Sequence, residues 1–178
     1  AAGTYSVTET IPSGWLLETP ATCVSSIGDT ESPGVLELDG GETITCTFTN
    51  AQENDLVAVK TNNTNGIALN GVGFNWEIVV NNLGPGSAVF FNAEDIIEDH
   101  LPTGATYGTP TAVVGAGTTG TVNCAIASNT LDCDASGTVV IPSGGTITIT
   151  VPVTPTVAGS LVNPTGGVCA VDPDNVIV

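Results

Sequence analysis

"GFNWEIVVNN", residues 73–82, decides how the chain is read. Phe74, Trp76, Ile78 and Val80 fall on every second position, with Asn75 and Glu77 between them. Successive strand side chains point to opposite faces, so a period of two marks a half-buried strand; a helix would spread these four residues around its circumference. The pattern continues in both directions. "GETITCTFTN" (41–50) alternates Ile44, Cys46 and Phe48 with Thr43, Thr45 and Thr47. "DLVAVKT" (55–61), "GTVNCAI" (120–126), "TLDCDA" (130–135), "GTVVIP" (137–142), "GTITITVPVTP" (145–155) and "GSLVNP" (159–164) read as further strands. At the front, Tyr5 and Val7 alternate with Thr4, Ser6 and Thr8 before a Pro12-Ser13-Gly14 turn. Thr and Val dominate because branched side chains suit a pleated surface. One stretch, "NAEDIIEDH" (92–100), reads as a turn of helix. The fold class is therefore all-β, built of antiparallel sandwiches. Phe74, Trp76, Ile78, Ile147 and Ile149 are expected inside, together with Val57 and Val59; that parity turns Lys60 and Glu77 outward.

Charge narrows the function classes. The 178 residues carry 18 acids, one cation (Lys60), one histidine and no methionine, for a formal charge of −17. Phosphate binding needs clustered Lys and Arg, so nucleic acid is excluded as a partner, and so are anionic membrane surfaces. No apolar run approaches the ~20 residues of a spanning helix.

The five cysteines, Cys23, Cys46, Cys124, Cys133 and Cys169, contain no CxxC pair, and a single His100 leaves no zinc spacing. Cys124 and Cys133 flank "AIASNTLD", a plausible tight hairpin, where a cross-strand disulfide would fit; Cys23 and Cys46 make the second candidate pair. Buried free thiols are the alternative. Cys169 is left over, which in an oxidising compartment points to an intermolecular partner.

Self-comparison shows a repeat. Ile11-Pro12-Ser13-Gly14 with Thr19-Pro20 matches Leu101-Pro102-Thr103-Gly104 with Thr109-Pro110, and "GGETIT" (40–45) matches "GGTIT" (144–148). Two tandem β-sandwich domains are expected, 1–52 and 53–178, with a seam in the polar "NAQENDL" (50–56). The segment before Pro12 is far shorter than that between the seam and Pro102. The first domain is therefore expected to be incomplete at its N-terminus, its exposed edge filled by an upstream segment or a neighbouring subunit.

These residues resemble known modules. "AAGTYSVTETIPSGW…ATC…DGGETITCTFTNAQ" is similar to the prealbumin-like (Cna B-type-like) modules of large bacterial and archaeal surface proteins. "DLVAVKTNN…FNWEIVVNNLGPGSAVFF…LPTGATYGTP" and "PVTPTVAGSLVNPTGGVCAVDPDNVIV" resemble DUF11-type repeats of such proteins. The resemblance implies a secreted, extracellular or cell-surface protein. It also implies the Lys–Asn isopeptide bond found in related modules, catalysed by an Asp or Glu. Lys60 is the one possible donor, Asn163 the acceptor expected in the closing strand, and Glu77 the acid suggested by strand order. In the first domain Glu9 and Asn50 fall where such modules carry acid and acceptor. Strand parity opposes the bond in the second domain and favours an exposed Lys60–Glu77 pair.

Other constellations are weaker. Asp172-Pro173-Asp174-Asn175 and Glu94-Asp95…Glu98-Asp99 offer oxygen ligands for Ca2+ but match no EF-hand loop, and read as solvated acidic turns. No other metal and no cofactor is expected. Asn62-Asn63-Thr64 is a glycosylation sequon. His100 beside Asp99 lacks a nucleophile motif and reads as an exposed turn residue; Trp15 and Trp76 read as core anchors. No enzyme is expected. The chain reads as a structural unit of an extracellular fibre, filament or surface layer, a homopolymer joined by intersubunit strand contacts, with the tail "VCAVDPDNVIV" (168–178) as candidate donor strand. The alternative is an adhesin that recognises a glycan or protein through its loops.

Overall fold

The computed structural model describes residues 2–64, 67–115 and 117–163. All its regular elements are strands and all its strand pairs are antiparallel. The chain divides into two compact units, Ala1–Glu53 and Asn54–Val178.

Unit 1 holds β1 (Gly3–Tyr5), β2 (Trp15–Ser25), β3 (Thr30–Glu31), β4 (Leu36–Leu38) and β5 (Ile44–Gln52). β1 pairs with β4, and a second sheet runs β3-β2-β5. Its alternation survives folding: Ile44, Cys46, Phe48 and Asn50 are half-buried, while Thr45, Thr47 and Thr49 are exposed. Only Ser25 and Leu36 of the described residues in this unit are buried. Trp15, expected as a core anchor, is 38% exposed. The half-burial of the whole β5 face explains this, since an anchor needs a packed second layer to fill.

Unit 2 holds β6 (Leu56–Asn62), β7 (Phe74–Asn82), β8 (Ala88–Phe90), β9 (Asp95–His100), β10 (Ala105–Tyr107), β11 (Thr111–Gly115), β12 (Thr119–Ala127), β13 (Thr130–Ile141) and β14 (Thr146–Pro155). One sheet runs β10-β14-β7-β6, with β11 also on β14; the other runs β12-β13-β8, with β9 also on β13. The two sheets enclose one apolar core. Trp76, Ile78 and Val80 of β7 and Ile147, Ile149, Val151 and Val153 of β14 meet Leu131, Cys133, Val139 and Ile141 of β13 within it. β12 and β13 turn through Ser128 and Asn129, both with positive φ (52° and 62°). That is the backbone a two-residue hairpin of matching twist requires. The repeated Pro-x-Gly turns also share a conformation: Gly14 and Gly104 have φ of 81° and 94°, values a side chain would resist.

Four strand expectations change. Residues 92–100 contain no helix; they hold β9, with Ile96 and Ile97 both buried. A register shift where β9 meets Cys133 and Asp134 breaks the alternation there, and adjacent buried isoleucines in a sequence imitate a helical face. The segments 130–135 and 137–142 are one strand, β13, whose two halves pair with β9 and β8. Described residues 159–163 form no strand. The parity of β6 is also reversed. Leu56, Ala58 and Lys60 lie opposite Asn82, Val80 and Ile78, all buried. Residues directly opposite share a face, so Lys60 points inward and Val57 and Val59 outward; Val59 is 50% exposed. The expected inward Val57 and Val59 were one register step off. Thr165 and the cysteine and acids of the tail, Cys169, Asp172 and Asp174, lie outside the described residues, as does the candidate donor strand 168–178.

Candidate functional site: a buried lysine–aspartate pair and an asparagine

The register of β6 sends the chain's one lysine into the sandwich. The register of β9 brings a carboxylate to meet it, because Asp99 lies opposite Leu131, which is fully buried. Lys60 Nζ donates to Asp99 Oδ2, and each side chain is 6% exposed. Asn163 Nδ2 donates to the same oxygen at 3.1 Å. The other amide atom, Asn163 Oδ1, is buried without a hydrogen-bond partner. Ammonium and carboxamide thus converge on one carboxylate oxygen.

Aromatic rings wall this cluster. Lys60 Nζ sits 6.0 Å from the Trp76 ring centroid, within reach of its electron-rich face. Trp76 stacks on Tyr107 at 6.1 Å and meets Phe74 edge-on at 5.6 Å. The Tyr107 hydroxyl donates to the carbonyl of Pro102. Burial, and then the charge of Asp99, push the Tyr107 hydroxyl up to about 12.

Glu77, the acid expected from strand order, takes no part. It is exposed on the outer face of β7, opposite Thr61 and Thr150. The exposed Lys60–Glu77 pair is overturned with it, since Lys60 lies opposite Ile78 instead. Asp99 could not be picked out from strand order because it arrives from the opposite sheet. Its signal was its place two residues beyond Ile97, on the same face of the strand, hidden by the helical reading. His100 ends a strand, with its side chain 69% exposed and Nε2 3.4 Å from Glu98. Asp99 and His100 point to opposite sides and form no dyad.

Both candidate cysteine pairs are bonded: Cys23 to Cys46 across β2 and β5, and Cys124 to Cys133 across β12 and β13. The acidic run 94–99 does not form one ligand set. Glu94 accepts the Phe91 N–H at 2.7 Å, while Asp95 gathers with Asp132 and Asp134, their carboxylate oxygens within 4.8 Å of one another. A hydrogen bond that the protonated Asp134 carboxyl donates to Asp95 is the first cause raising Asp134 to about 6, ahead of burial and the neighbouring acids. In unit 1, Asp29, Glu31 and Glu42 approach similarly, but Ser25 and the Asp39 N–H already bond the Glu42 carboxylate. Glu9 Oε1 accepts from Asn50 Nδ2 at 2.5 Å. In the sequon, Asn62 Oδ1 accepts the Thr64 N–H (3.1 Å) and hydroxyl (2.7 Å).

Two surface grooves lie on unit 2. One of about 570 Å3 is lined by Asn62, Leu69, Phe74, Trp76 and Leu161 among others; one of about 420 Å3 lies over Asn75, Tyr107 and Pro152. Neither is lined by Lys60, Asp99 or Asn163.

No curated protein and no solved structure matches the chain. Residues 1–52, a span that ends one residue before the unit boundary, match the family of SpaA-type prealbumin-like fold domains.

Proposed function

We propose that the protein is a structural module of an extracellular fibre or cell-surface assembly, and that unit 2 is locked by an amide bond it forms within itself. The carrying observation is the Lys60–Asp99–Asn163 cluster, in which the lysine and aspartate side chains are buried. With Lys60 and Asp99 each 6% exposed, this chemistry has no external substrate to reach; the reactive partner within hydrogen-bond range of the acid is the chain's own Asn163. The step needs no co-reactant. Asp99 takes a proton from the Lys60 ammonium, and the freed Nζ attacks Cγ of Asn163. The Nζ–Cγ bond forms, the Cγ–Nδ2 bond breaks, and Nδ2 leaves with the transferred protons as ammonium. A permanent tie between β6 and the segment after β14 suits a protein under tension. The prealbumin-like match in residues 1–52 and the two disulfides support a surface location.

Intact mass of the reduced protein is the test. The wild type should weigh one ammonia less than its sequence, and a proteolytic digest should contain residues 60 and 163 in one branched peptide. Asp99→Ala, Lys60→Arg and Asn163→Ala should each restore the full mass. A wild-type mass equal to the sequence mass would overturn the bond. Assembly is tested separately by electron microscopy of the purified protein, where filaments are expected.

An adhesin would use the larger groove. Trp76 and Phe74 line it but are only 5% and 7% exposed, so neither presents a ring face on which a sugar could stack. The structural reading is the stronger.

A further inference from the structure

We propose that the outer face of the β6-β7-β14-β11 sheet of unit 2 is a self-association surface, which packs against the same face of a second copy of this chain. The proposal rests on the reading of the protein as an assembly module and names a surface through which its copies meet.

Two observations carry it, one of side-chain pattern and one of charge. The strand registers lay side chains in rows across this face. Val59 lies opposite Val79, Val79 opposite Thr148, and Thr148 opposite Val113. These positions alternate with the buried residues of their strands, so the row points away from the core. Val59 is 50% exposed and Val113 64%. The rows on either side, through Glu77 and through Asn81, otherwise hold Thr, Val and Gly. Glu77 is the one charge in the three rows, in a chain that carries 18 acids. The outer side of the other sheet is the reverse. There Asp134 lies opposite Asp95, and Asp132 opposite Glu98.

A chain with a formal charge of −17 meets its own copy with least repulsion where its charge is absent. Packed sheets lie about 10 Å apart, so pairing through the neutral face leaves the two acidic faces outermost and about 30 Å apart. That is several times the Debye length of about 8 Å at physiological salt. Pairing through the acidic sheet would instead set its carboxylates about 10 Å from their copies. A two-fold axis along the Val59–Val113 row lays valine against valine. It also puts the two Glu77 side chains on opposite sides of the row, about 13 Å apart, because each is two residues from Val79. A glycan fits less well, since these rows hold no aromatic ring for a sugar to stack on. Four strands, each five residues long in this register, make a face of roughly 20 Å by 17 Å. A standard interface buries about 800 Å2 on each partner. One such contact is therefore weak, and it gains strength by repetition along an array.

The test is sedimentation velocity of the intact protein at concentrations up to about 1 mM, the range in which a weak pair is populated. A monomer–dimer equilibrium is expected, and it should tighten as salt is raised, because salt screens the repulsion between two polyanions. Val59→Glu and Val113→Glu, at the two ends of the row, should each weaken it about tenfold or more, since each buries an unpaired carboxylate in the contact. Val89→Glu is the control. It adds the same charge at a position 46% exposed on the other sheet, and should associate as the wild type does. A protein that stays monomeric at about 1 mM would overturn the proposal. So would row variants that pair like the wild type, or a control that disrupts pairing as strongly as they do. Should neither row variant fold, the salt series decides alone: association that weakens as salt rises would mean a charged contact and a different surface. The mass of unit 2 and the formation of single filaments do not depend on this face. Its failure therefore leaves the structural reading standing, and pairing without filaments would do the reverse.

Discussion

Asn82 shows what a single side chain does in this sandwich. It is fully buried at the end of β7. Its Nδ2 donates to the carbonyls of Gly86 (2.6 Å) and Ile141 (2.9 Å), and its Oδ1 accepts the N–H groups of Asp55 and Gly84, each at 3.0 Å. One carboxamide therefore ties the entry to β6, the loop after β7 and the end of β13, using both halves of its capacity. Alanine would leave two backbone N–H groups and two carbonyls short of a partner in the interior. Asn82→Ala should cost about 3 kcal/mol, the upper range for orphaned buried groups, read as a lower urea midpoint with unchanged slope. A loss below about 1 kcal/mol would mean water replaces the side chain. In the sequence Asn82 is one of several asparagines beside a Gly-Pro-Gly loop. Its composition suggests a turn, and only the closure of the loop onto β13 makes it an anchor. Asp99 was obscured for a related reason, since the pairing of sheets distant in sequence decides which acid meets Lys60.

Strands show where alternation is a sufficient signal and where it is not. β7 and β14 are central in their sheet, so their apolar residues face one core and their parity can be read directly. β6 is the edge strand of that sheet. Its valines looked like the inward set, but an inward lysine at an edge is one of the ways natural sheets discourage further pairing. The local pattern was ambiguous, and the hydrogen-bond register to β7 settled it. β9 lost its alternation to a register shift. The same pairing places Asp95 opposite Asp134 and, with Asp132, makes an acidic cluster on the outer side of this sheet. Asp134 is raised from 3.8 to about 6, first by its hydrogen bond with Asp95, and Asp132 is raised by burial and then by Asp95 and Glu98. The sign follows from those directions. A carboxyl whose folded value is raised favours the folded state when protonated, so this contribution is complete below about pH 4 and lost as pH rises through about 6. Neighbouring groups are Glu98, whose partner His100 lies 3.4 Å away, and Asn123 across β12. The melting temperature of unit 2 should therefore fall between about pH 4 and pH 6 and level off above, and Asp134→Asn should flatten that fall. An equal fall in the variant would place the pH dependence elsewhere.

At the scale of the whole molecule, the two units differ in what holds them together. Repetition in the sequence announced two related β units, and their Pro-x-Gly turns adopt the same backbone. What repetition could not announce was the inequality of their cores. Unit 2 closes two sheets over a contiguous set of buried Ile, Val, Leu, Phe and Trp. Unit 1 buries only Ser25 and Leu36 among its described residues and relies on a disulfide between β2 and β5. Burial of apolar area is the main favourable contribution to folding, at about 25 cal/mol per Å2, so the units should differ in local stability rather than unfold as one. Hydrogen exchange followed by mass spectrometry should show this directly. Amides of β7, β13 and β14 are expected to exchange only through rare global opening of unit 2. Those of β1, β4 and β5 should exchange far faster, through local opening. If β5 proves as protected as β14, buried apolar area does not set the local stability of the two units, and the Cys23–Cys46 bridge or another constraint holds unit 1 instead.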